Sequence, residues 1–570
     1  MPNGNGQPYD YDWIVVGSGF GGSASALRLA EKGYRVCMLE AGRRYEDEDF
    51  AKSAWRFRKF VWVPAAGNRG IMRIYLFKDI AILAGCGVGG GSLVYANTLY
   101  VPPRAFFEAE EWRELQDWEQ ALAPHYEEAK RMLGATEVPF ENDADRLFRE
   151  LADDMGVEYR RPTVGVFFGP EGETVPDPYF GGEGPERAGC IRCGACMVGC
   201  RHNAKNTLRK NYLWFAEKLG TEIRPERHVT NIAPLGAEDG SDGYVVASQR
   251  PGAWVRRRRE TLTSRGVVVS AGAVGTNWLL RTCKDLGGLP NLSDRLGEVV
   301  RTNSEALLAV TAKKDVHDFH HGVAISSSIY PDDVTHIENV TYGTAGDAMG
   351  LLFTMLTEGG TRLTRPLKWL GNVLRHPLRA TRLLWKRGWS KKTLILLVMQ
   401  TLNSSMRLKP IRIGRRKILL QTEQDPDNPN PTWIPVANEA AERLAEKMDG
   451  VAQSNLPEAI LNTPATAHIL GGCVIAPDAE HGVVDTHQRA FGYENLLVAD
   501  GSVVPANPGV NPSLTILALA EHAMTSVPPA PGGAVRPAAS EDTVEAKDRP
   551  PGEPARHAAG EAAEPVVDSG

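Results

Sequence analysis

The chain predicts an α/β fold: a Rossmann-like domain joined to a discontinuous α+β domain with a large, mostly antiparallel sheet. Three observations predict it. Residues 13–40 run as an apolar strand, a glycine-rich turn, a helical stretch and a second strand. The same strand, glycine turn and helix return at residues 267–280, so the first domain is assembled from distant pieces. Between residues 303 and 464, strand-like segments occur at 322–328, 335–340, 393–402 and 411–420. The 570 residues also exceed what one hydrophobic core usually serves.

The first segment is the most informative. Trp13 to Val16 reads as a buried parallel strand, and Gly17-Ser-Gly19-Phe20-Gly21-Gly22 follows as G-x-G-x-x-G. Gly17 makes the tight turn, Gly19 lets the backbone approach a pyrophosphate, and Gly22 lets helix and strand pack closely. The helix N-terminus then offers free N–H groups to the anion. Ala26, Leu29 and Ala30 share one helix face, and the second strand ends at Glu40. A carboxylate there can accept hydrogen bonds from ribose hydroxyls. This context supports a bound dinucleotide without separating FAD from NAD.

Composition is that of an ordinary globular protein. The net charge of −6 argues against general nucleic-acid binding. Residues 1–10 lack a basic and an apolar leader region, and no run of about 18 apolar residues occurs. A cytoplasmic protein is expected, able to touch a membrane surface peripherally. Cys37, Cys86, Cys283 and Cys473 read as buried thiols.

Residues 47–75 are aromatic and basic and read as a helix and loop on the nucleotide domain. Leu83 to Tyr100 contains Gly85, Gly87, Gly89, Gly90 and Gly91, too dense for a regular element. Such a loop brings backbone N–H groups close to a ligand.

With these motifs the chain resembles the glucose–methanol–choline (GMC) family of flavin oxidoreductases, and within it the non-covalent cholesterol oxidases of mycobacterial type. The stretch G-V-G-G-G-S-L-V resembles that group's flavin loop. The resemblance implies non-covalent FAD held by Gly17, Gly19, Phe20, Gly21, Gly22 and Glu40, and by Gly85, Gly89, Gly90 and Ser92. It adds Val229 near the adenine and Asp500, Gly501, Gly509 and Asn511 near the flavin. The family has an Asn-Gly pair after the flavin loop; here Tyr95-Ala96 stands there, and Asn97 follows as the expected contact.

Residues 102–133 and 139–155 read as helices opening the substrate domain. Cys190, Cys193, Cys196 and Cys200 then follow in the spacing C-x₂-C-x₂-C-x₃-C of bacterial iron–sulfur runs. No proline follows Cys200. An iron–sulfur cluster, zinc and a loop of free thiols all stay open for these four. Residues 221–250 and 261–270 read as an antiparallel meander leading to a buried strand. Residues 362–392 carry many Arg and Lys, no Asp or Glu, and interleaved Leu and Trp. That composition suits contact with anionic lipid, or a basic cap over a pocket. Pro366 and Pro377 interrupt it, so a single long helix is not expected.

The expected domains are a disordered N-terminus (1–10), an FAD-binding domain (11–105, 221–302 and 463–526), a substrate domain (106–220 and 303–462) and a disordered tail (527–570). The tail is rich in Pro, Ala, Gly and Glu, with too few large apolar groups to offset ordering entropy. The resemblance implies three catalytic residues. His468, before Gly471-Gly472, handles the substrate hydroxyl proton. Asn511, just before the last helix, orients the hydroxyl. Glu338 moves a proton during Δ5 to Δ4 isomerisation, and an apolar steroid pocket would raise its pKa. Ile469 replaces the proline that usually follows this histidine. The expected activity is oxidation of a sterol 3β-hydroxyl with oxygen reduced to hydrogen peroxide. The competing readings are a dehydrogenase of another hydrophobic alcohol that uses an electron carrier, and a membrane-surface lipid-binding flavoprotein with little turnover.

Overall fold

The structure is a computed structural model that describes residues 8–253, 255–384, 387–414 and 417–532. Its first sheet grows from strand β1 (Tyr11–Val16), helix α1 (Phe20–Glu31) and strand β2 (Val36–Leu39). β1 pairs in parallel with β2 on one side and with Glu260–Val269 on the other. The strand Glu260–Val269 works at both ends. Its first half pairs antiparallel with Tyr244–Gln249, whereas Val267 to Val269 pair in parallel with Leu496–Val498. The expected meander and discontinuous sheet are therefore present, closed at the far edge by Glu222–Arg224 on β2. Ile14, Val15, Val267 and Val268 are fully enclosed, as parallel strands covered on both faces require.

The second sheet is antiparallel throughout. Its order is Phe353–Met355, Gly450–Asn455, Ala306–Ala312, Thr393–Gln400, Thr335–Val340, Ser328–Tyr330 and Glu158–Arg160. The two-residue side-chain period divides its faces. Leu308, Val310, Leu394, Leu396 and Ile337 pack under helices Asp143–Met155 and Pro435–Lys447. Ala309, Ile395, Leu397 and Val340 face the other way, toward the first domain. Both faces are covered, so Thr393–Gln400 is apolar almost throughout and shows no alternation.

Several expectations change. Residues 411–420 do not form one strand: Met406–Ile413 and Lys417–Gln424 make a hairpin, with Gly414 at φ +61° in its turn. The strand expected at 322–328 begins only at Ser328. Residues 102–133 split into Arg104–Phe107 and Trp118–Met132. The boundary drawn at residue 105 also cuts through a core. Trp112, Trp118, Leu122 and Tyr126 pack in the same cluster as β1 and β2, and Tyr126 Oη donates to Thr515 Oγ1 at 3.0 Å. Leu208, Tyr212 and Phe215 join that core too. The local sequence of these helices is merely amphipathic, and only the packing assigns them to the first domain. The tail does not begin at 527. Tyr34 Oη donates to the Pro528 carbonyl (2.9 Å) and the Ala530 N–H to the Lys32 carbonyl (2.9 Å), fastening 527–530 to α1. The expected disorder at 1–7 and 533–570 falls outside the described residues. The basic segment forms two helices, Thr364–Arg375 and Pro377–Leu384, with Pro377 opening the second.

Candidate active site

A trough runs between the two sheets. At one end a cavity of about 450 Å³ is lined by Gly17, Ser18, Gly19, Glu40, Val229 and Trp278, among others. It shares Gly19, Arg73, Gly85, Gly91 and Gly272 with a second cavity of about 300 Å³. That second cavity reaches Phe20, Gly21, Asp500, Gly501, His468 and Asn511.

The glycine turns set the first end. Gly17 has φ +100°, closed to most side chains. A Cβ on Gly21 would lie 1.7 Å from the Ala499 carbonyl oxygen, and one on Gly22 2.2 Å from that of Gly17. Gly90 lies against Gly19, where a Cβ would come within 2.5 Å of its Cα. Gly19 differs: a Cβ there would meet nothing within 4 Å. Gly19 thus offers an open face to the trough at the N-terminus of α1, where a dinucleotide's pyrophosphate would be received. Glu40 lines the trough and also ties its loops together. It accepts from the Ser18 N–H and Oγ (3.1 and 2.7 Å), the Gly42 N–H (2.7 Å) and the Gly87 N–H (3.3 Å). His228 and Trp278 stack at 5.1 Å beside Val229. Burial holds that histidine down at about 4, hence neutral and able to stack on a base.

The remaining expected cofactor contacts divide. Asp500 accepts from the Ser502 N–H (2.8 Å) and from the Gly272 N–H (2.9 Å) and Thr276 Oγ1 (2.5 Å), fixing the two loops under Gly501. Gly89 and Ser92 shape the flavin loop from behind: Ser92 Oγ donates to the Gly89 carbonyl (2.7 Å) and accepts from the Leu208 N–H (3.1 Å). Gly509, at φ +66°, donates its N–H to Asn303 Oδ1 (2.8 Å). Neither they nor Asn97 are among the trough's lining residues. Asn97 is fully buried toward Cys196, its side chain otherwise without a hydrogen-bond partner.

At the reacting end, three distant segments converge. Asn511 Nδ2 lies 3.2 Å from Glu338 Oε2 and 3.4 Å from His468 Nε2. Glu338 comes from the middle of Thr335–Val340, opposite Leu397 and Ser328, and is 0 % exposed. Burial raises its pKa to about 8, against the pull of Asn511, His468 and Tyr100. The Glu338 Oε1 and Asn511 Oδ1 atoms are buried without a hydrogen-bond partner, two acceptors that a bound hydroxyl could satisfy.

Two residues not anticipated from the sequence hold His468. Glu305 pairs with Nδ1 and accepts from the Ala467 N–H at 2.7 Å. Asn303 Nδ2 stands 3.5 Å from the same ring nitrogen and donates to the Val510 carbonyl (3.0 Å). With Nδ1–H directed at Glu305, Nε2 is left as the acceptor facing the cavity. Burial lowers the affinity of this imidazole for protons, but Glu305 and Glu338 outweigh it and the pKa is raised overall. A hint was available: Asn303, Ser304 and Glu305 are consecutive polar residues entering an apolar strand, and two of them adopt positive φ.

The GMC oxidoreductase family model matches residues 394–520. That span holds both His468 and Asn511, while an NAD(P)-binding Rossmann-like model matches 15–45. A cholesterol oxidase of Mycobacterium tuberculosis (strain ATCC 25618 / H37Rv) is 50% identical over 535 residues, covering 91% of each chain. The chain belongs to the GMC oxidoreductase family. A cholesterol oxidase of Acinetobacter baumannii is 46% identical over 530 residues, covering 91% of this chain and 95% of its own. Among solved structures, pyridoxine 4-oxidase from Mesorbium loti superposes with a TM-score of 0.57 at 15% identity, covering 90% of this chain and 98% of the other. This GMC oxidoreductase is an FAD-dependent enzyme acting on CH–OH groups. The open glycine and the neutral aromatic pair suit that dinucleotide.

Proposed function

We propose that the enzyme oxidises the 3β-hydroxyl of a cholesterol-like sterol to the ketone, with oxygen reduced to hydrogen peroxide, and shifts the Δ5 double bond to Δ4. The observation that carries this reading is the buried His468–Asn511–Glu338 cluster at the end of an apolar cavity walled by Leu307, Ile325, Val340, Phe353, Ile395 and Leu397. The similarity to two cholesterol oxidases supports the substrate class.

FAD, when bound, supplies the hydride acceptor. His468 Nε2 takes the hydroxyl proton, and Glu305 stabilises the imidazolium that results. Asn511 orients the hydroxyl through its unpartnered Oδ1. Once the ketone has formed, the carbon between it and the double bond is acidic. The Glu338 carboxylate removes a proton there and returns it at the far end of the double bond, so no net proton is lost. Glu338 acts as a base only when ionised, so isomerisation gains as pH rises toward about 8.

The test is turnover of cholesterol with oxygen as sole acceptor, following peroxide and the 4-en-3-one. Both products support the reading. Oxidation with an artificial acceptor alone would favour the dehydrogenase, and no sterol turnover would end the sterol assignment.

We also propose peripheral membrane contact from the cytoplasmic side through residues 362–392. Leu363, Leu367, Leu370 and Leu374 form one stripe turned to solvent, with Leu363 81% and Leu374 72% exposed. The opposite face docks on the strand carrying Phe353, with Trp369 Nε1 donating to Thr354 Oγ1 at 2.9 Å. A leucine stripe between basic residues suits an anionic lipid surface. Among the described residues no helix is long and apolar enough to cross a membrane. Co-sedimentation with anionic vesicles tests the contact: Leu367→Asp with Leu374→Asp abolishes binding, and equal binding by that variant would refute it.

A further inference from the structure

The four clustered cysteines take no part in the chemistry above. All four are free thiols, and all four line one cavity of about 180 Å³. No carboxylate lines that cavity; Lys52, Arg201 and Lys205 do. Among the described residues no three His, Cys, Asp or Glu groups converge tightly enough for a single metal ion.

The surroundings are unusually cationic for a set of neutral thiols. Lys205 is 2% exposed, and its Nζ donates only to carbonyls, those of Tyr95 (2.8 Å), Cys196 (2.9 Å) and Leu93 (3.2 Å). Arg187 is 1% exposed with Nη2 unpartnered, and Cys200 is among its charged neighbours. Lys205 has no carboxylate among its hydrogen-bond partners, whereas Arg187 has Asp47 as a nearby counter-charge. A buried cation without a counter-charge is costly, so an anion belongs beside Lys205. Backbone N–H groups also face the sulfurs. Arg192 N–H donates to Cys190 Sγ (3.4 Å), and the amides of Ala195 and Ala324 serve Cys193 and Cys196. Such N–H···S bonds are one of the terms that tune iron–sulfur clusters.

The loop is also fixed in place. A Cβ on Gly343 would lie 2.0 Å from the Cys193 carbonyl oxygen, and one on Gly199 2.4 Å from the Phe50 ring. Met197, between two of the cysteines, reaches the cavity that holds His468 and Asn511.

We propose that Cys190, Cys193, Cys196 and Cys200 hold a four-iron, four-sulfide cluster in the cavity they surround, beside the flavin loop. Four thiolates lining one cavity suit a polynuclear cluster, whose net negative charge answers Lys205. This does not depend on which alcohol is oxidised.

The test uses the full-length FAD-loaded protein, purified anaerobically and then exposed to ferrous iron and sulfide. The expected result is about four irons and four labile sulfides per chain, with an electron-paramagnetic signal after dithionite reduction. The Cys193→Ser/Cys196→Ser variant, checked for unchanged FAD content, loses both iron and signal. Protein that keeps its FAD but takes up no iron, binds zinc instead, or retains iron in the double variant would overturn the proposal. The wild-type measurement stands even if that variant fails to fold.

Discussion

The two ends of the trough are built on different principles. The dinucleotide end is a matter of backbone: Gly17, Gly19, Gly21 and Gly22 lie within six residues, and their spacing alone fixes a turn and a helix start. The reacting end is a matter of side chains. His468, Asn511, Glu338 and Glu305 come from four segments spread over some two hundred residues. A backbone site is therefore specified locally and fails by steric collision. A side-chain site is specified by packing and fails by loss of a charge or a proton.

Four substitutions sharpen that contrast. The largest effect is expected for His468→Ala, which removes the proton acceptor and lowers kcat by about 10²–10⁴-fold while FAD stays bound. Stopped-flow reduction of the flavin by substrate measures it, and loss of FAD instead would mean that the two ends are one unit. Next is Gly19→Ala. Its φ of −73° suits alanine and no protein atom is near. The melting temperature of the FAD-free protein should hold, while FAD affinity falls about 10–100-fold, roughly 1.4–2.7 kcal/mol. Equilibrium titration with FAD checks this, and a large loss of stability would contradict the open position.

Glu338→Gln should leave alcohol oxidation largely intact and abolish the double-bond shift, so that the 5-en-3-one accumulates. It should also remove a pH effect on stability. The folded-state pKa of Glu338 is raised, so the native state holds its proton more tightly than the unfolded chain. Its contribution is fully present below the unfolded carboxylate range and is lost as pH rises through about 8. Chemical denaturation at pH 5 and pH 8.5 should show a smaller drop in the variant than in the native protein. The smallest effect belongs to Ser92→Ala. It leaves the Leu208 N–H and the Gly89 carbonyl without their shared partner, for about 1–2 kcal/mol of stability. Denaturant unfolding reads it, with kcat essentially unchanged.

Much of the first domain was legible in advance because its signals are short-range. β1, α1 and β2, the meander, and the return of the chain at 267–280 each rest on periodicity and glycine spacing within about 30 residues. Trp118–Met132 was misplaced because an amphipathic helix states that it has an apolar face without stating what covers it. Residues 411–420 were read as one strand because Ile411 and Ile413 on one side of Gly414 and Ile418 to Leu420 on the other are both strand-like, whereas the chain turns between them. Glu305 was missed because a carboxylate acquires its meaning only from the imidazole opposite it.

The sequence by itself determined the dinucleotide turn, the discontinuous α/β domain and the cysteine spacing, since each is written in neighbouring residues; the family resemblance pointed to His468 and Asn511. Only the tertiary structure decided that Glu40 joins two loops, that Asn97 turns toward Cys196, and that Glu305 stands behind His468. It also turned the leucines of 363–374 to solvent. These depend on which surfaces meet across hundreds of residues, and burial, charge compensation and steric fit are properties of the meeting surfaces rather than of either segment alone.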